Sequence, residues 1–402
     1  MATYGTYNTD MTKIKNTAMA SWSGFIYQGL CALHHSLSLL RSDWNNAKIK
    51  YLGLEAYEDF AILDSAQKIE SMHQCKCIKN STNYDDECKK MYDKYDYWLS
   101  QKQISQNNNK AQALWFHSNQ NNTLTCGVQA YANNPQSPVQ LYDDIKKVVG
   151  DIMSNNHFPG SSVNKSDKLI VLISKKVSDI HQQWIQNPGN GFDIAVNHPI
   201  PFAEFTSILT SNDNDYTSIE LVETCKFYLI LTLRDRLISK RNSNTQRIEN
   251  FITRLGELNQ QELMALVCRL FPDKDIFSDS RVHDMFSSSR GNWLFNVLND
   301  SLENIDMDGI NWKNTQNDLL TPSTLGNDKD TEEYCPDIVN NPKTNDLRRD
   351  YRWIVGDVKN KVDDIDKAAN QISQINDKDY SDISQPRKVG ILDIKSKNDG
   401  NY

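Results

Sequence analysis

Residues 49–78 read IKYLGLEAYEDFAILDSAQKIESMHQCKCI. Three segments rich in β-forming residues, 49–56, 57–63 and 69–78, follow one another here, and the polar turn 64–67 separates the last two. Short segments of this composition with turn residues between them are typical of consecutive antiparallel strands. The stretch therefore predicts a β-meander, and it decides the fold of the N-terminal half.

The sequence on either side of the meander predicts an α/β arrangement. Between residues 19 and 40, leucine and isoleucine recur every three or four positions, which is typical of one face of a helix. Residues 84–101 also have a helical pattern. Residues 113–116 and the apolar run LIVLIS at 169–174 predict two further strands, the second buried on both faces.

The second half of the chain, from about residue 206, has a helical pattern instead. Thr217 with Glu220, and Asn259 with Glu262, have the spacing of capping boxes that begin helices. Residues 292–302 predict a short helix, and the polar, proline-containing residues 311–345 predict a loop or linker. A last helix is predicted from the apolar positions Ile354, Val358, Val362, Ile365, Ala369 and Ile372.

The fold class predicted for the whole chain is α+β (α/β). It comprises an N-terminal domain over residues 1–205, with a mixed sheet flanked by helices, and a mainly α-helical domain over residues 206–402. A length of 402 residues is ample for two such domains.

The composition limits how this protein can bind nucleic acid. Lys and Arg number 44 against 52 Asp and Glu, which gives a formal net charge of −8, and the sequence pI is about 5.5. Proteins that coat nucleic acid through general electrostatics usually have a pI above about 9. Any DNA binding must therefore use a local site or a basic partner.

Other signals indicate a cytoplasmic protein with reduced thiols. The most apolar run covers only residues 227–233, far short of the roughly 20 residues of a membrane helix. None of the eight cysteines forms a CxxC pair, and Cys75-x-Cys77 is too closely spaced for a zinc knuckle. These two cysteines are expected to be buried as small apolar side chains. The sequence has no P-loop motif, so this chain is not expected to bind nucleotide in that way.

Four side chains of the meander are expected to converge at one edge of the sheet. Gln74 and Lys76 lie two positions apart on one strand, so they share a face. A hairpin would place Asp59 beside them, and Glu55 lies at the end of the preceding strand. Two carboxylates, a carboxamide and an ammonium would then meet.

This set of groups is suited to phosphodiester hydrolysis. Glu55, Asp59 and Gln74, with the backbone carbonyl of Cys75, would bind Mg²⁺ (or Mn²⁺), and Lys76 would stabilise charge on the phosphate. Because Gln74 replaces a carboxylate, metal affinity would be weaker and completed by the DNA phosphate. The alternative from these residues alone is a solvated sheet edge, since D-x14-Q-x-K also arises by chance.

Neighbouring residues are interpreted more simply. Gln28 would either approach this site or take part in helix–sheet packing. Glu58 is expected on the opposite side of its strand, with a structural or solvated role, and His73 is expected to point away from the site. His34 and His35 are interpreted as packing or surface residues.

A family resemblance adds to this interpretation. Residues 23–33, SGFIYQGLCAL, followed by LEAYEDF and HQCK, resemble the dsDNA endonuclease domain of CBASS-type effectors. That domain is a branch of the PD-(D/E)xK restriction-endonuclease fold. The same N-terminal pattern is similar to that of proteins from ABC-three-component systems, of which Lamassu is one. The resemblance covers about residues 20–80 firmly and the rest of the N-terminal half loosely.

The resemblance implies a restriction-endonuclease-like fold, with Glu55 and Asp59 as metal ligands and Gln74 and Lys76 at the (D/E)xK positions. Gln74 departs from the acidic residue of that pattern. The implied function is an anti-phage or anti-plasmid effector nuclease that acts on double-stranded DNA. The implied partners are an SMC-like ABC ATPase, which the helical half would dock on, and a small accessory subunit.

Release from the ATPase would permit self-association as a dimer or tetramer, because cutting both strands needs two active sites. Two other interpretations stay open. The chain could be an inactive nuclease-like scaffold that binds partner proteins or DNA, which Gln74 and the acidic pI favour, or a helical partner-binding protein whose resemblance is coincidental.

Overall fold

The computed structural model describes residues 22–77, 84–105, 109–119, 124, 128–131, 137–186, 191–212, 217–239 and 245–270, and five short strands between residues 307 and 390. The chain divides into two compact units, Met1–Asn214 and Asp215–Tyr402. The helix predicted over 292–302 lies outside the described residues.

The first unit begins with a long helix and a three-stranded meander. Helix α1 (Trp22–Ser42) and the one-turn helix α2 (Trp44–Ala47) precede β1 (Tyr51–Leu54), β2 (Phe60–Leu63) and β3 (Ile69–Lys76). These strands pair antiparallel in chain order. The β2–β3 turn is fixed by Asp64, whose Oδ1 accepts the backbone N–H groups of Ala66 at 2.8 Å and Lys68 at 2.9 Å. The predicted helix and meander are thus confirmed.

A helical crossover then returns the chain beside β3. Helices α3 (Asp85–Ser100) and α4 (Lys110–Ala113) lead to β4 (Leu114–Ser118), which pairs parallel with β3, and to the short β5 (Gln129–Ala130). A parallel pair requires such a crossover because the chain must travel back along the sheet. The helix predicted at 84–101 and the strand at 113–116 are confirmed.

The unit is completed by four helices and one more strand: α5 (Pro138–Asn156), α6 (Ser162–Gln186), α7 (Gly191–Val196), β6 (Ile200–Pro201) and α8 (Phe202–Thr210). Strand β6 pairs antiparallel with β1, so the sheet has the order β5-β4-β3-β2-β1-β6. The α+β fold class is confirmed. Of the helices described here and below, none is long and apolar enough to cross a bilayer.

The strand predicted at 169–174 is wrong, because these residues lie within helix α6. An apolar run of this length does not distinguish a buried strand from a buried helix. Helix α6 is surrounded by α1, α5, α7 and α8, so apolar residues are needed on several of its sides. Its approach to α1 is close: a Cβ on Gly29 would lie 3.0 Å from Ile173 Cγ2.

The two faces of the sheet carry different helices. The ring of His35 on α1 lies 4.4 Å from that of His73 on β3. On the other face, Tyr84, which precedes α3, has its ring 4.6 Å from that of Phe116, and Phe116 is in register with Gln74. Because side chains alternate along a strand, β3 presents an α1 face (Ser71, His73, Cys75) and an α3 face (Met72, Gln74, Lys76).

The second unit contains three described helices and a five-stranded sheet. Helices α9 (Ser218–Ser239), α10 (Thr245–Glu257) and α11 (Gln260–Leu270) are followed by β7 (Met307–Asp308), β8 (Asn311–Lys313), β9 (Leu319–Pro322), β10 (Trp353–Gly356) and β11 (Arg387–Gly390). The strand order is β11-β10-β9-β8-β7, with β9, β10 and β11 parallel.

Both predicted capping boxes are confirmed. Thr217 N–H donates to Glu220 Oε2 at 2.8 Å, and Glu220 N–H donates to Thr217 Oγ1 at 3.2 Å. Asn259 and Glu262 make the same reciprocal pair, each at 3.0 Å. Each pair satisfies two N–H groups that a helix N-terminus otherwise leaves without an acceptor.

Two predictions for the second half are wrong. Strands β8 and β9 lie within the predicted loop 311–345, and β10 includes Ile354, where the last helix was predicted to begin. Each strand is only three or four residues long, too short to show a clear alternation in the sequence. The rest of the predicted last helix, 357–372, lies outside the described residues.

A buried lysine links two helices of the first unit. Lys165, near the start of α6, is 1% exposed. Its Nζ donates to the carbonyl oxygens of Ile208 at 2.9 Å and Ser211 at 2.7 Å. These carbonyls lie at the C-terminal end of α8, where the helix itself provides no donor.

We expect Lys165→Met to lower the free energy of unfolding by about 1–3 kcal/mol, because the Ser211 carbonyl would lose the ammonium donor and the Ile208 carbonyl would keep only the Ser211 hydroxyl. Urea denaturation measures this change. Lys175→Met, on the exposed side of α6, is the matched control and should unfold close to wild type. Equal unfolding midpoints for the two variants would contradict the role of Lys165.

Candidate functional site

The connection between β1 and β2 is a bend that carries three carboxylates, Glu55, Glu58 and Asp59. Glu55 has a φ of 57°, in the left-handed region that non-glycine residues rarely adopt. Its N–H donates to the carbonyl of Asp59 at 3.0 Å, which closes the bend. Strained backbone of this kind is concentrated at functional sites. Here it holds two of the predicted site residues close in space.

The bend places Asp59 against the end of β3. Its Oδ2 accepts a hydrogen bond from the Gln74 carboxamide and another from the backbone N–H of Cys75 at 2.6 Å. The register supports this position, because Phe60 lies opposite His73 in the β2–β3 pair. The structure thus brings Asp59 and Gln74 together, as the hairpin argument expects.

Glu58 is buried and faces α3. Its exposed fraction is 8%, and its carboxylate forms an ion pair with Lys94 of α3. Residues 55–59 form a bend, so the strand alternation used to orient Glu58 does not apply there. Sequence reasoning missed Lys94 entirely, because nothing local to α3 indicates that one of its charged residues turns toward a carboxylate 36 positions earlier.

The environment of the cluster raises the pKa of two of its carboxyl groups. Burial, and then the neighbouring Glu58 carboxylate, raise the pKa of Asp59 to about 6, although the Cys75 N–H, Lys76 and Lys94 act to lower it. The pKa of Glu55 is raised well above its usual range by burial and then by Asp59 and Glu58. Three carboxylates thus face two ammonium groups. A bound cation would relieve the excess negative charge.

The remaining predicted residues have the following places. Lys76 is half-buried at the end of β3, and its charge acts on Asp59. Cys75 contributes its N–H; metal binding by its carbonyl stays a prediction. Gln28 is buried on α1, and within the described residues its Oε1 has no hydrogen-bond partner. His73 lies on the α1 face, so the prediction that it points away is confirmed.

The raised pKa of Asp59 predicts a pH-dependent stability in metal-free buffer. A carboxyl whose pKa is higher in the folded state stabilises fully below its unfolded pKa, and this contribution is lost as the pH rises through about 6. Asp59→Asn should remove about 1 kcal/mol of the difference in unfolding free energy between pH 5 and pH 8. Denaturation at both pH values in EDTA measures it.

Asp93→Asn, at an exposed position of α3, is the matched control for this experiment and should keep the wild-type pH profile. If Asp59→Asn also retained the full wild-type difference between the two pH values, the buried, charge-coupled environment assigned to Asp59 would be wrong.

Comparison with known proteins places most of the second half in a family. A family model described as C-terminal domain 1 (CTD1) of the ABC-three component (ABC-3C) systems matches residues 116–362. No curated protein and no solved structure matches the chain. The matched residues make up more than half of the sequence, from β4 to beyond β10. The chain therefore belongs to the CTD1 family of the ABC-three component systems.

Proposed function

We propose that this protein is a metal-dependent double-stranded DNA endonuclease and the effector subunit of an ABC-three component defence system. The observation that carries the proposal is the set of contacts around Asp59. Gln74 and the Cys75 N–H hold its carboxylate, Lys76 acts on it electrostatically, and Glu55 is buried beside it. Family membership supports the defence role.

The residues present fit a hard divalent cation. Glu55 and Asp59 would hold Mg²⁺ (or Mn²⁺) with the Gln74 carboxamide oxygen, since such ions prefer oxygen ligands. When bound, Mg²⁺ supplies a Lewis acid at the phosphate and a more acidic water. The half-buried Lys76 would stabilise negative charge on the phosphate. The Glu58–Lys94 ion pair would keep the bend in place.

Family membership and the net charge of the chain support the proposed partners. ABC-three component systems include an ABC ATPase, and the second unit, which contains most of the matched residues, would dock on that SMC-like subunit. Docking would keep the nuclease inactive. Release, followed by self-association, would bring together the two active sites that a double-strand break requires. With a net charge of −8, the protein would depend on this assembly to reach DNA.

Cleavage of linear and circular double-stranded DNA in Mg²⁺ or Mn²⁺ tests the activity, with the protein alone and with its ATPase subunits. We expect wild type to cut and Asp59→Ala and Lys76→Ala to be at least about 100-fold slower, because Asp59 would hold the metal and Lys76 would stabilise charge on the phosphate.

Lys90→Ala and Asp93→Asn, both at exposed positions of α3, are the matched controls and should cut at the wild-type rate. Metal-dependent cutting that persists in both site variants would mean that the active site lies elsewhere in the protein. Intact DNA under all conditions, with the site variants as protective in cells as wild type, would overturn the nuclease proposal.

Gln74→Glu tests whether the side chain at position 74 binds the metal. A third carboxylate adjoining the metal would raise affinity, so the Mg²⁺ concentration that gives half-maximal cutting should fall. Without metal, the new carboxylate would repel Asp59, to which the Gln74 amide donates in wild type, so the EDTA-treated variant should be less stable. A metal titration and a denaturation curve measure these effects. An unchanged Mg²⁺ requirement would exclude position 74 from the metal site.

One contact favours a second candidate function, an inactive nuclease-like scaffold that binds partner proteins or DNA. The Gln74 amide donates to Asp59, and this hydrogen bond satisfies the carboxylate without a metal. In that case Asp59→Ala and Lys76→Ala would leave both partner binding and protection in cells intact. The same variants therefore distinguish the two functions.

A further inference from the structure

The α1 face of β3 gathers two thiols and an imidazole. Strand β4 pairs with β3 so that His117 lies in register with Cys75, and α1 places Cys31 over both. The three potential ligand atoms, one from each residue, lie within 4.8 Å of one another. All three side chains are buried, with exposed fractions of 2%, 5% and 3% for Cys31, Cys75 and His117.

A chain of hydrogen bonds orients the imidazole. His117 Nε2 lies 2.9 Å from His73 Nδ1, and His73 Nε2 lies 2.8 Å from Ser71 Oγ. If His117 donates to His73 and His73 donates to Ser71, the lone pair of His117 Nδ1 is available to a metal. A ligand histidine is usually held in this way, by a hydrogen bond from its second ring nitrogen.

Two tyrosines contact members of this group. The ring of Tyr131 stacks on His117 at 4.2 Å with an interplanar angle of 27°. Cys31 forms side-chain hydrogen bonds with both Tyr27 and Cys75. The Cys31 thiol is therefore in contact with both Tyr27 and Cys75.

We propose that Cys31, Cys75 and His117 form a zinc site between helix α1 and the sheet. Two thiolates and an imidazole are the donors that zinc prefers, and they are too soft for Mg²⁺. The site is separate from the carboxylate cluster, which lies on the α3 side of the same strand. It does not depend on the nuclease proposal.

The geometry and charge of the group suit this ion. Tetrahedral zinc holds sulfur and nitrogen ligands about 3.3–3.8 Å apart, so separations of up to 4.8 Å require the side chains to contract by about 1 Å. The three side chains would fill three of the four positions, and a water molecule would fill the fourth. Binding breaks the S–H bonds of Cys31 and Cys75 and releases both protons to solvent. The two thiolates then balance the charge of Zn²⁺, which leaves a neutral site in the buried layer.

Such an ion would join three elements that are distant in the sequence. Cys31 lies on α1, Cys75 on β3 and His117 on β4. Cys75 also lies between Gln74 and Lys76, so the ion would fix the backbone of the strand that carries these two residues. We therefore assign a structural role to the metal, with metal content and Co²⁺ binding as its readouts.

The test is metal analysis of the full-length protein, followed by exchange of its metal for Co²⁺. We expect about one zinc per chain in wild type, and thiolate-to-cobalt charge-transfer absorption after exchange. Cys31→Ser and Cys75→Ser should each lose the metal and this absorption. The matched control is Cys88→Ser, because Cys88 is a fully buried cysteine on α3; it should keep both.

Ser71→Ala provides a variant that spares all three ligands. Loss of the oriented hydrogen-bond chain should lower Co²⁺ affinity about 10-fold, while the fold is retained. The proposal is overturned if folded wild type contains no zinc above buffer level and gives no charge-transfer band with added Co²⁺. It is also overturned if the Cys31→Ser, Cys75→Ser double variant binds as much zinc as wild type.

Discussion

Strand β3 is an interior strand with a helix on each face, and the rest of the first unit depends on its alternation. From Ser71 to Lys76, its odd-numbered residues face α1 and its even-numbered residues face α3. Asp59 is held by the backbone N–H of Cys75, so even the bend before β2 takes its position from this strand. A register slip of one residue would exchange the two sets of side chains. The acidic cluster and the thiol–imidazole group would then both be lost.

The sequence was sufficient where the signals are local. Helix α1 follows from its 3.6-residue periodicity, and the meander follows from β-forming segments joined by a short turn. The proximity of Asp59 and Gln74 follows from the hairpin. By contrast, the inward position of Glu58, its ion pair with Lys94 and the left-handed backbone of Glu55 depend on a bend and on a helix far along the chain. No local pattern predicts such contacts.

The errors have equally physical causes. Residues 169–174 are apolar because several helices surround α6, and burial from several sides resembles burial of a strand on both faces. The short strands β8 and β9 pair with each other over a short separation in sequence, but β10 pairs with β9 across the long segment between Pro322 and Trp353. The spacing of the cysteines in the sequence also could not predict that Cys31, Cys75 and His117 lie together, because α1, β3 and β4 each supply one of these residues.

The parallel pairing of β3 with β4 has a consequence for how the chain folds as it is made. Helix α1 and the meander can assemble once residue 76 has left the ribosome, since domains generally form from the N-terminus during synthesis. The second edge of β3 stays unpaired until residue 118 emerges, because its partner β4 lies beyond the α3 crossover. During that interval an apolar strand edge is open to pairing with another chain. Nascent chains of this protein should therefore depend on a chaperone most strongly while residues 77–118 are emerging from the ribosome.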